Sequence, residues 1–370
     1  MKLPRIIMLA TLLLTAPAAA QLQITPPVAT PGASAEKTKD KPKATLHTIT
    51  KKKEAPPAPK PSASPKPSAS PKPAPAATVI PAPPTDNPNV DLVYGAYQRG
   101  QYKTAFELAT ARAETGDAKA MTMLGELYSN AMGIRRDYTK ALQWYKRASD
   151  AGDREAMFAL AMLRMTGRGG PVDKNEAVKL MASAAKLGEP KAAYNLALLY
   201  LDGQTLPQDV KRSAELLRQA ADAGLPEAQY ALATFYKEGT GVPKDLERAV
   251  RLLQVATLTD NVDAEVEYAI ALFNGTGTPK NQPAAIALLR KASRQNSPIA
   301  QNRLARVLVS GLGVPVDKIE GLKWHLVAKT AGKGDPELDE RLSELSPEDR
   351  AKVEAAARKW TGTIGGAASK

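Results

Sequence analysis

Small and apolar residues return along this chain every 36 positions, and from Thr115 onward the interval holds without an insertion. Alanine fills one column (Ala120, Ala156, Ala192, Ala228, Ala264, Ala300) and a second (Ala148, Ala184, Ala220, Ala256, Ala292, Ala328). Leucine fills a third at Leu124, Leu160, Leu196, Leu232 and Leu304, with Tyr268 in the remaining slot. A fourth column reads Gly116, Gly152, Gly188, Gly224, Asp260, Asn296, Gly332. Glycine, aspartate and asparagine are the residues that tolerate a left-handed backbone, so this column predicts helix C-caps. A second turn signal recurs in GTGVPKD (239–245): a glycine stop, a short loop, then an acidic N-cap. Asp137, Asp173, Asp209, Asp245, Asn281 and Asp317 all occupy that cap slot. Each unit is therefore predicted to be a helix A (226–238, for example), a loop, and a helix B (246–258). Fixed self-similarity at this interval is the mark of a solenoid. The alanines let paired helices approach closely, while the Leu, Tyr and Trp columns fill the space between them.

The phrases LGELYSNAMGIRRDYTKALQWYKRASDAGD (124–153) and YALATFYKEGTGVPKDLERAV (230–250) resemble the Sel-one-like repeat family, relatives of the tetratricopeptide repeats. The resemblance covers six units, 118–333. It implies an all-α, right-handed α-solenoid that acts as an interaction scaffold. DLVYGAYQRGQYKTAFELATARAETGD, within an N-terminal segment 89–117, resembles a shorter tetratricopeptide-like helix pair. Residues 334–362 are more charged, with Ser346-Pro347-Glu348-Asp349 as a helix start, and read as capping helices that seal the last apolar face. Residues 363–370 are expected to form a disordered tail. Some secreted relatives tie their units with disulfides; this chain has no cysteine, so nothing carries over from that branch.

Ahead of the repeats the pattern disappears. MKLPRIIMLATLLLTAPAAA carries Lys2 and Arg5, a short apolar run and an Ala18-Ala19-Ala20 cleavage pattern. This is the layout of a secretory signal peptide over 1–20, with maturation at Gln21. Residues 21–88 are rich in Pro, Lys, Ser and Ala, with little to bury, and are expected to be a disordered linker. The formal net charge is +13, yet residues 21–90 hold ten lysines against Glu36, Asp40, Glu54 and Asp86. The basic character therefore belongs mainly to the leader. Export argues against a nucleic-acid partner and places the chain in the periplasm, or else secreted. The lysines suit an anionic membrane surface or a cell-wall polymer, at about 1 kcal/mol per residue near such a surface. The same composition also serves as a self-repelling spacer.

The inventory for catalysis is thin. Without cysteine there is no thiolate nucleophile or thiolate metal site, and the two histidines, His47 and His325, lie far apart in sequence. Trp324-His325 aligns with Trp144-Tyr145 at core positions of helix B, which reads as packing. No acid–base pair recurs. No enzyme, cofactor or metal is expected.

The richer ground is the face of helix A turned away from its core column. At 100° per residue, slots aligned with 119, 122, 126 and 129 fall within about 80° of one another, away from Ala120 and Leu124. The 122 slot gives Phe158, Tyr194, Tyr230 and Val266 in the second to fifth units. The 126 slot gives Met162, Leu198, Thr234 and Ile270, and the 129 slot adds Met165, Leu201 and Phe273. An apolar, aromatic stripe there predicts a groove for a peptide or protein, carried by Phe158, Met162, Tyr194, Leu198, Tyr230 and Phe273. The competing reading is that tight curvature buries these side chains between units.

Overall fold

The structure, a computed structural model, describes residues 91–367 and their side chains as far as 362. The expected signal peptide, the expected Pro/Lys-rich linker and His47 lie outside the described residues.

The described chain is all α-helix apart from one short 3-10 turn. An N-terminal pair, α1 (Leu92–Gln98) and α2 (Tyr102–Glu114), precedes six A/B pairs. These are α3 (Ala118–Asn130) with α4 (Tyr138–Asp150), and α5 (Arg154–Thr166) with α6 (Lys174–Lys186). Next come α7 (Pro190–Asp202) with α8 (Val210–Asp222), and α9 (Pro226–Glu238) with α10 (Leu246–Ala256). The last are α11 (Val262–Asn274) with α12 (Gln282–Arg294), and α13 (Pro298–Ser310) with α14 (Lys318–Thr330). Two closing helices follow, α15 (Pro336–Ser343) and α16 (Pro347–Ala367). From α1 to α14 each helix packs chiefly on its neighbours in sequence, which makes the array a solenoid, and α16 folds back onto α14.

The hinge chemistry follows the sequence closely. All six predicted caps accept a backbone N–H three residues on, from Asp137 with Lys140 to Asp317 with Glu320. The cap residue's own N–H turns back to helix A, as in Asp137 to Tyr128 O and Asp317 to Leu308 O, and this bond recurs in every unit. Gly116, Gly152, Gly188, Gly224, Asp260, Asn296 and Gly332 all have positive φ. Helix A ends in the same way, on a left-handed residue that is Gly in five units and Ala131, at φ 58°, in the first.

The second hinge glycine is needed for a different reason. A Cβ on Gly241 would lie 2.5 Å from Val210 O, the first helical residue of the preceding helix B. In the third unit Thr205 holds this slot and is absent from the positive-φ residues, so the loop is not identical in every unit.

Both alanine columns are buried at 0–2 % exposure, and the leucines of the third column at 0–5 %. Ala141, Ala177, Ser213, Ala249, Ala285 and Gly321 add a further small-residue column that also lies in the core.

Two features depart from expectation. Helix B of the fourth unit ends at Ala256, two residues short, and Thr257–Thr259 tighten into a 3-10 turn. The Thr257 hydroxyl donates to Gln254 O and that of Thr259 to Ala256 O, taking up carbonyls at the helix end. Among the described residues, the backbone bond that closes helix B elsewhere (Leu225 N to Ala220 O, Ser297 N to Ala292 O) has no counterpart at Asn261. At the C-terminus, α16 runs to Ala367, so the first five residues of the expected disordered tail are helical. Extending a helix that is already formed costs little per added residue.

Candidate functional site

On the A-helix face, polar contacts link successive A helices at two of the junctions. Lys119 meets Asp153 at 3.0 Å and Glu155 at 3.4 Å across the first junction. Lys237 meets Glu267 at 3.0 Å across the fourth. Along this face Phe158, Met162, Tyr194 and Tyr230 pack against one hydrophobic cluster, yet each keeps part of its surface open. Leu201 and Ile270 are also half-buried.

Leu198 and Phe273 require correction. They are 4 % and 6 % exposed, beside Val266 at 4 % and Met165 at 8 %. Stacked units cover these side chains, which belong to the packing and offer a partner almost no surface. Of the six residues expected to line the groove, four present surface to solvent.

The electrostatics of the aromatic column are uneven. Burial raises the Tyr194 phenol above the ordinary tyrosine value, with a contribution from Glu227. Burial raises Tyr230 further, reinforced by Glu267, Asp263 and Glu238. Tyr230 thus stays a neutral donor over any physiological pH, in a surround of carboxylates.

The face is closed at both ends. At its start a cavity of about 130 Å³ lies between α1 and α3, lined in part by Tyr94, Tyr97, Lys119, Thr122, Glu126 and Glu155. Tyr97 donates to Glu126 Oε1 at 2.9 Å, and burial together with this carboxylate pushes its phenol up to about 12. At the far end Asp335, 2 % exposed, accepts from Arg306 at 2.5 Å and from Asn302 at 3.2 Å, tying α13 to the start of α15. The slot aligned with 123, only 40° from the 119 slot, carries Glu267 and Arg303. Sequence reading passed over that column because its residues (Met123, Ala159, Asn195, Ala231, Glu267, Arg303) share no chemistry.

Elsewhere, Trp324 and His325 are buried, as their alignment with core positions implies. His325 Nε2 lies 2.8 Å from Asp339 Oδ1 on α15, and Trp324 meets Trp360 edge-on at 5.0 Å. These contacts fasten the closing helices. Among the described residues no three acidic or histidine side chains are grouped to hold a metal, and no helix is long and apolar enough to cross a membrane.

The Sel1 repeat family model matches residues 118–153, 154–189, 190–225, 226–257, 262–297 and 298–333. The match in the fourth unit stops where helix B gives way to the 3-10 turn. Among solved structures, a Sel1 repeat protein from Oxalobacter formigenes is similar over 64 % of this chain and 94 % of its own, at 24 % identity and a TM-score of 0.55. A protective antigen of SLR fold from uropathogenic Escherichia coli is similar over 69 % of this chain and 64 % of its own, at 24 % identity and a TM-score of 0.47. No curated protein matches the chain.

Proposed function

The chain belongs to the Sel1 repeat family, and on that ground we propose that it is an exported scaffold without catalytic activity, holding a protein or peptide against its A-helix face. Sel1 repeat proteins are generally protein–protein interaction scaffolds and generally non-enzymatic. One observation carries the assignment of the face. Phe158, Tyr194 and Tyr230 occupy the same slot of three consecutive units and remain partly open in a solenoid whose alanine and leucine columns are closed. Aromatic side chains in partly dry grooves commonly dominate binding, at about 2 kcal/mol or more each on truncation. The signal-like residues 1–20 support a periplasmic site of action, with a role in regulating or assembling the cell envelope.

The test is the triple replacement of Phe158, Tyr194 and Tyr230 by Ser. Capture of the native partner from envelope extracts should be lost while circular dichroism retains a folded helical array. A variant that melts returns these residues to the core. A folded variant that still captures the partner moves the site elsewhere.

The ten lysines of residues 21–90 favour a second reading, attachment of the leader to an anionic membrane surface or cell-wall polymer. Deletion of residues 21–88 separates the two. The scaffold keeps its partner, whereas a wall-attached protein loses its location.

A further inference from the structure

Building on the assignment of the A-helix face as the partner site, we infer that this face ends in an anion-accepting anchor at Arg303. The partner segment is then an extended peptide that places a carboxylate there. Arg303 lies on α13, next to Asn302 in the aromatic column's slot and three residues before Arg306. It is half-buried, and among the described residues it makes no hydrogen bond or ion pair.

The two acids whose charge bears on it each accept already from another cation. Asp335 Oδ2 accepts from both Arg306 and Asn302, and its Oδ1 takes the backbone N–H of Glu337 at 3.2 Å. Glu267 Oε2 accepts from Lys237 at 3.0 Å. A guanidinium carries five N–H donors in a planar fork that matches a carboxylate, and a partly buried charge left unpaired is costly. Burial, with Arg306 beside it, holds Arg303 below the ordinary arginine value, and Glu267 and Asp335 offset this only in part. The site is short of one negative charge at close range.

A monoanion fits better than a dianion, because Glu267 and Asp335 repel a doubly charged phosphate. The geometry also sets a spacing. Successive A helices are close enough for Lys237 to reach Glu267, so at about 10 Å per unit Tyr230 and Arg303, two units apart, are separated by roughly 20 Å. An extended chain rises about 3.3 Å per residue, which places the carboxylate about six residues beyond the apolar side chain that meets Tyr230. That carboxylate is an Asp or Glu side chain or the peptide's own C-terminus.

The test uses the full chain on an array of randomised decapeptides, each made with a free C-terminal carboxylate and as the amide. Bound peptides should carry an acid about six residues after an aromatic or aliphatic residue. Amidation, or Asn/Gln in place of that acid, should weaken them about tenfold or more. Arg303→Gln should reduce the acidic peptides to that weaker level, with Arg303→Lys in between, and should leave the melting temperature unchanged or raise it. An acid preference that survives Arg303→Gln overturns the inference, as does stronger binding of phosphoserine than of Asp at the same place. The Phe158/Tyr194/Tyr230→Ser variant separates the two levels. If it binds the array as the wild type does, the assignment of the face itself falls. If it loses all peptides while acid preference is absent or independent of Arg303, only the anchor falls. Binding of no peptide counts against both.

Discussion

The hinges and the partly open face of the A helices are built on the same 36-residue register, and they use it in opposite ways. At the hinges the register repeats chemistry: six side-chain caps and six returning backbone bonds. On the A-helix face it repeats only position, with Thr122, Phe158, Tyr194, Tyr230, Val266 and Asn302 following one another in a single slot. The recurring cap and backbone bond at the hinge let the face vary without altering the stack. Stability therefore resides in the columns that do not change from unit to unit, and the proposed partner site in those that do.

This contrast is broken most severely at the hinge. Gly241→Val adds a Cβ against Val210 O and asks a β-branched residue to adopt φ near +66°. A loss of roughly 3 kcal/mol in urea unfolding is expected. Ala220→Leu should follow, lowering stability by about 2 kcal/mol, since Ala220 is fully buried at a close helix crossing and added methylenes displace backbone. An unchanged thermal melt would remove Ala220 from the crossing.

A pair of glycine replacements sharpens the distinction between repeated sequence and repeated conformation. Ala131→Gly relieves a left-handed alanine and should stabilise by about 1 kcal/mol. Thr205→Gly restores the glycine pattern where no positive φ calls for it, and should destabilise by about 0.5 kcal/mol through unfolded-chain entropy. Equal signs from the two would contradict the conformations described. The smallest effect belongs to the face. Tyr230 has a raised folded-state value, so its contribution is intact below the unfolded tyrosine value and is lost as pH rises above about 10. Ultraviolet titration should show several late phenols, Tyr97 and Tyr194 among them, and one fewer in Tyr230→Phe, with stability at neutral pH hardly changed.

What was legible in the sequence tracks what the register repeats. Helix A of the fourth unit is predicted at 226–238 and found as Pro226–Glu238, because cap, stop and alanine columns all mark it. Asp260 and Asn296 in a glycine column identified left-handed backbone from chemistry alone. The early end of α10 was not legible, because it depends on two threonine hydroxyls competing for carbonyls, a local contest that periodicity does not register. Leu198 and Phe273 were misplaced because helical phase gives direction but not the distance to the adjacent unit, and that distance decides burial. Arg303 went unread because its importance lies in a missing partner, which only the occupied oxygens of Asp335 and Glu267 reveal.

The interrupted helix end at Thr257–Thr259 also determines where the array yields under load. A stack whose members touch only their neighbours transmits tension through every junction in series, so the junction with fewest ties governs the whole. Between Ala256 and Asn261 the closing backbone bond is missing and Leu258 stands 80 % exposed, whereas the junctions on either side keep that bond. With only the Lys237–Glu267 pair, among the described residues, as a side-chain tie on the A-helix side, the array pulled from its ends is expected to part there first, into a block of four units and a block of two. Each block keeps its own paired helices, and the A-helix face is divided between Tyr230 and Arg303.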